Sequence, residues 1–118
     1  MNTVTLDRER FQQNDIPTRL NHLAAHLAQI QSFVTNGTGE DKIVSLMRES
    51  LYFIEWTVPH YIDTDVDRSA ELVDLGRILA QWLFNWEKIW ADIEKRTEVA
   101  QIAGSLSERV QEVSSLAS

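Results

Sequence analysis

Residues 72–93 read LVDLGRILAQWLFNWEKIWADI, and the placing of their apolar side chains decides the fold class. Leu72, Leu75, Leu79, Trp82, Trp86, Ile89 and Ile93 recur at alternating steps of three and four, which lines them along one face of a helix. The period-two alternation of a strand is absent. Val73, Ile78, Ala80, Leu83, Phe84 and Trp90 widen the apolar arc beyond a single stripe. A helix apolar over so wide an arc needs contacts on several sides, either at the centre of a bundle or across a subunit boundary. No strong breaker occurs between Val66 and Ala103, so the pattern predicts one long helix over 66–103, roughly 55 Å in length. Gly76, inside it, marks a bend or the close approach of a neighbouring helix.

The flanking segments repeat the pattern. Ile16, Leu20, Leu23, Leu27, Ile30 and Val34 predict a helix over 15–36, capped by Asn14 or Asp15, with Pro17 in the first turn. The run Asn36, Gly37, Thr38, Gly39 stops it. Ile43, Met47, Leu51, Ile54 and Val58, widened by Leu46, predict a second helix over 41–58, which Pro59 ends or kinks. Thr64 or Asp65 caps the third helix. Gly104 closes that helix, and Ser105 with Glu108 forms a capping box for a short last one over 105–114, carried by Leu106, Val110 and Val113. The expected fold is all-α: a single domain over 1–118, built as a three- or four-helix bundle with one long third helix and completed by dimerisation.

Composition sets the remaining bounds. A chain of 118 residues and 13.6 kDa supports one modest core. A net charge of -7 and a pI of 4.8 disfavour nucleic acid and anionic membrane surfaces, which recruit proteins through Lys and Arg. The absence of cysteine removes disulfides, thiolate metal ligands and thiol nucleophiles. The opening MNTVTLDRERFQQND holds no apolar run of signal-peptide type, and no window reaches 18 apolar residues. The expectation is a cytoplasmic protein without a membrane span.

Two groups of residues bear on chemistry. His22 and His26 share a helix face, and with His60 as a distant third ligand they would suit a divalent transition metal; Glu55 and Asp63 are alternative third ligands. Leu23 stands where a zinc protease of the HExxH type needs its glutamate, so that mechanism is unsupported. Asp63, Asp65, Asp67, Ser69, Glu71 and Asp74 are spaced somewhat like a calcium loop. Arg68, however, takes the place of the turn glycine and Asp74 that of the bidentate glutamate, so the better reading is a helix cap. Phosphate loops, nucleophile elbows and paired acid–base carboxylates are missing. No catalytic or cofactor-binding residue is assigned, and a non-enzymatic role is favoured over an enzymatic one.

The expected function is protein binding, or a regulatory or structural role, as a homodimer with or without a further protein partner. Its interface residues are Trp82, Leu83, Phe84, Trp86 and Trp90, since tryptophan supplies large apolar area together with a polar ring nitrogen. The alternative is a metal- or small-molecule-binding bundle, with enzymatic activity left open.

Overall fold

The computed structural model describes residues 8–117 and is all-α. Six helical segments follow one another: α1 (Arg8–Gln13), α2 (Ile16–Asn36), α3 (Glu40–Ile62), α4 (Val66–Phe84), α5 (Trp86–Trp90) and α6 (Ile93–Ala117). The reading of the chain start for a leader falls partly on residues 1–7, outside the described residues.

Local chemistry sets several of the boundaries. Asp15 caps α2 by accepting from the Thr18 amide at 2.9 Å, with Pro17 in the first turn where its missing N–H costs least. That hydrogen bond holds the Asp15 carboxyl below its usual 3.8. Gly37, at φ 67°, ends α2 in the left-handed conformation, and its N–H returns to the last-turn carbonyls of Phe33 and Val34. Asp65 caps α4 through the Arg68 amide. Pro59 does not end α3, which continues to Ile62; only one turn remains beyond it, so the lost backbone bond lies near a terminus.

The expected long third helix is corrected. It breaks at Asn85 and again at Ala91–Asp92, giving α4, α5 and the start of α6. Asn85 turns its side-chain amide back onto the Gln81 carbonyl, and the Asp92 carboxylate accepts from the Glu94 amide at 2.9 Å. Both side chains compete with the backbone ladder, as Asn and Asp commonly do. An unbroken helix over 66–103 would also exceed the molecule's longest dimension of 41 Å.

The last helix is corrected in the other direction. Gly104 closes nothing and Ser105 caps nothing, because α6 runs through both. Instead Gly104 lies against Gln31 of α2, and the Ser107 hydroxyl donates to the Ala24 carbonyl at 2.8 Å. One end further along, the Ser114 hydroxyl donates to the Pro17 carbonyl at 3.0 Å. Small residues let the two backbones approach, and their hydroxyls are satisfied by the partner helix.

The four longer helices, 19 to 25 residues each, pack with their neighbours antiparallel. Contacts of His26 with Glu49 fix the register of α2 on α3, those of Gly76 with Ile54 that of α4 on α3, and those of Ser107 with Ala24 that of α6 on α2. The predicted ladders turn inward: Leu20, Leu23, Leu27 and Ile30 from α2, Ile43, Met47 and Ile54 from α3, and Leu72, Leu75 and Leu79 from α4 are all buried. The short α1, which periodicity does not signal, is held by one ring. Phe11 stacks on Phe53 with centroids 4.6 Å apart, and the Arg19 guanidinium lies over the Phe11 ring, 5.7 Å from its centroid.

Gly76 does not mark a tight approach, and α4 runs through it without a break. A Cβ there would meet Ile54 at 3.7 Å and Leu51 at 3.8 Å, ordinary contact distances. Gly76→Ala is therefore expected to stabilise the chain by about 0.5–1 kcal/mol in urea unfolding, the backbone-entropy gain of alanine over glycine in a helix. Ser107→Ala is expected to cost about 1 kcal/mol in the same measurement, by removing a buried interhelical hydrogen bond.

Candidate functional site

Helix α4 carries two different surfaces. Its inward ladder ends in Trp82, 8% exposed, and α5 continues inward with Trp86, 6% exposed. These two proposed interface residues spend their area inside the chain's own core. The Trp86 indole nitrogen has no hydrogen-bond partner there. Leu83 is half-buried, and so is Trp90, whose ring is covered by the Arg96 guanidinium at 5.2 Å. Of the five residues expected at an interface, only Phe84 projects freely, at 90% exposure.

Phe84 belongs to a second ladder. Val66, Ala70, Val73, Arg77, Ala80 and Phe84 follow one another at steps of 4, 3, 4, 3 and 4, and every one of them is exposed. The stripe runs the whole length of α4 on the side opposite the core, and five of its six positions are apolar. Arg77, the exception, pairs with Asp74 at 3.4 Å. The sequence signals this stripe only as surplus width around the main ladder, because periodicity alone does not say which of two apolar stripes faces inward.

On its other flank α4 faces α6 across an opening of about 240 Å³. Leu20 of α2, Tyr61 of α3, Leu72 and Leu75 of α4, and Val110 and Val113 of α6 line it. Two contacts cross it: Arg109 of α6 donates two bonds to Glu71 of α4, at 2.7 and 3.2 Å, and Arg68 reaches the Val113 carbonyl at 3.4 Å. Glu71, with Glu112, holds the Arg109 guanidinium above its ordinary value. Tyr61 is buried and its hydroxyl has no hydrogen-bond partner. Burial pushes the phenol above its usual 10.0; the Arg68 guanidinium opposes the shift through its charge and through a weak side-chain interaction with the hydroxyl that falls short of regular hydrogen-bond geometry, and Asp65 adds to it.

The structure does not bring the three histidines together. Nδ1 of His26 lies 3.1 Å from the His22 carbonyl and its Nε2 2.9 Å from a Glu49 carboxylate oxygen, so both ring nitrogens are already engaged by oxygen. His22 is exposed beside Phe11 and Phe53. His60 stands edge-on to Tyr61, about 10 Å further along α3 than the Phe53 that His22 meets. Among the described residues no group of three or more His, Cys, Asp or Glu is placed to hold a metal ion. Glu55 and Glu87 lie on exposed helix faces.

No protein-family model, no curated protein and no solved structure matches the chain. Among the described residues, no helix is long and apolar enough to cross a membrane.

The raised Tyr61 phenol gives a pH prediction. Folding favours the neutral phenol, so this contribution is fully present below the unfolded value near 10.0 and is lost as pH rises through the higher folded-state value. Tyr61→Phe removes the ionisable group together with an unsatisfied hydroxyl. It should be more stable than the parent by about 1 kcal/mol at neutral pH, and the margin should widen above pH 10.0 in denaturation curves.

Proposed function

We propose that this chain is a non-enzymatic helical protein that acts by self-association, two copies pairing through the outward stripe of α4. The observation that carries the reading is the exposed ladder Val66, Ala70, Val73, Arg77, Ala80 and Phe84. A heptad-spaced apolar seam is what a helix presents to another helix, and an exposed phenylalanine withdraws on the order of 150 Å² of apolar surface from water when covered.

The stripe is complementary to itself in antiparallel orientation. Reversed about a two-fold axis between Val73 and Arg77, it places Val66 of one copy against Phe84 of the other and Ala70 against Ala80. Two copies of Arg77 and two of Asp74 then meet at the axis as a charge-balanced group. The small alanines on either side of the axis permit close approach, and two-fold pairing is the commonest closed assembly.

Light scattering after size exclusion tests the reading. The mass should rise from 13.6 kDa toward twice that value as concentration increases from about 1 µM to about 1 mM. Val73→Glu and Phe84→Glu, both at exposed positions, should each hold the chain at 13.6 kDa while leaving its helical circular dichroism unchanged. A mass fixed at 13.6 kDa throughout that range, or a dimer indifferent to both substitutions, overturns it.

A further inference from the structure

The segment that joins α4 to α6 keeps a pattern that its folded shape does not use. Leu72, Leu75, Leu79, Trp82, Trp86, Ile89 and Ile93 hold their three-and-four spacing across both breaks. All are buried except Ile93, just past the second break, which is 68% exposed. The reversal itself is made without any residue that forces it. It contains no glycine and no proline, and among the described residues no non-glycine has a positive φ. Ala91 stays in the right-handed helical region, and Asn85, at φ -102° and ψ 14°, lies in the bridge region beside it. The bend also has a cost, since it interrupts the backbone hydrogen-bond ladder twice and seals the Trp86 indole nitrogen without a partner.

What holds α6 lies elsewhere. It packs along α2, and apart from the short α5 no other helix packs closely on it. Ser107 and Ser114 donate to the Ala24 and Pro17 carbonyls of the α2 segment, and the crossing to α4 is made by Arg109 with Glu71 and by Arg68 with the Val113 carbonyl. Each of these contacts joins α6 to an earlier helix, so α6 of a second copy satisfies it as well as α6 of the same chain. A single chain must double back at α5 to bring α6 onto its own α2. Two copies need not.

We infer that two copies of this chain exchange α6: α4, α5 and α6 of each straighten into one continuous helix, and each α6 docks on the α2 of the other copy. The exchange keeps the α6 contacts and restores the backbone bonds lost at the two breaks, so the hinge decides between the forms. The Arg109–Glu71 and Arg68–Val113 contacts are both centred beside position 90. Made between copies, they set the two-fold axis next to Trp90 and run the two long helices antiparallel. This pairing is independent of the α4 stripe, because it forms only when α6 leaves its own α2, whereas the stripe joins chains that are already folded.

The test is cross-linking after refolding. Because the chain lacks cysteine, Glu71→Cys with Arg109→Cys places its only two thiols across the α4–α6 crossing, at positions that are already solvent-accessible. Val73→Glu is carried in every sample to remove stripe pairing, and each variant is first shown to keep the parent's helical circular dichroism. Samples are unfolded in urea, refolded at about 1 mM or about 1 µM, brought to the lower concentration and treated with a short bis-maleimide. Refolding at the higher concentration should give a dimer that survives dilution, since separation requires α6 to leave its α2, and its cross-links should join two chains on a denaturing gel. Refolding at the lower concentration should give monomer, cross-linked within the chain. Asn85→Ala with Asp92→Ala removes the side chains that compete with the helix and should raise the dimer-to-monomer ratio at least about tenfold; Asn85→Gly with Asp92→Gly should lower it by a similar factor. An exclusively monomeric product from the alanine variant refolded at about 1 mM overturns the inference. So does a dimer whose cross-links all lie within single chains, which is the pattern that stripe pairing alone produces.

Discussion

The close apposition of α6 on α2 is the constraint from which the rest of the arrangement follows. α6 presents Ala100, Ala103, Gly104 and Ser107 as small residues along its length, with Ser107 bonded to the Ala24 carbonyl and Gly104 against Gln31. A large side chain at any of these positions would push the helix outward. With α6 drawn onto α2 and α4 laid on α3, the remaining pair, α4 and α6, face each other without close backbone contact. The opening between them is thus a consequence of where the small residues are, and two arginine contacts span it in place of interlocking side chains.

The same constraint explains why the chain cannot continue straight from α4 into α6. α4 must turn back to let α6 run antiparallel to it, and the short α5 makes that turn while keeping Trp86 and Ile89 in the core. The aromatic residues that look like a binding surface are therefore mostly the material of the turn and the core beneath it. Burial of a side chain of this size contributes roughly 1.5–3 kcal/mol, more than a solvent-exposed contact would return to the folded monomer.

Helix α4 is left with its apolar ladder used inward and a second, sparser one facing outward. The two differ in kind. Leucines and a tryptophan dominate the buried ladder, whereas alanine, valine, one arginine and one phenylalanine make up the exposed one. Five of its six positions are apolar, so it leaves apolar area that the chain's own helices do not cover. The histidines take a separate structural part: His26 bridges α2 to Glu49 of α3 and rests edge-on against Phe53, within the aromatic group that also anchors α1.

The sequence by itself determined the helical class, the apolar ladders of α2, α3 and α4, the stop in the run Asn36 to Gly39, and the caps to within one residue, at Asn14 or Asp15 and at Thr64 or Asp65. Each of these depends on residues within a turn or two of one another, where periodicity and capping chemistry act. The tertiary structure alone decided that the chain breaks at Asn85 and Asp92 and runs on through Gly104. Asn and Asp are tolerated within helices and glycine often ends them, so local propensity is ambiguous at all three; packing of α6 along α2 resolves them. It also decided which stripe of α4 faces outward, and that a tyrosine on α3 ends up unpartnered beside an arginine on α4. Those outcomes depend on contacts between segments far apart in the chain, and no local spacing encodes them.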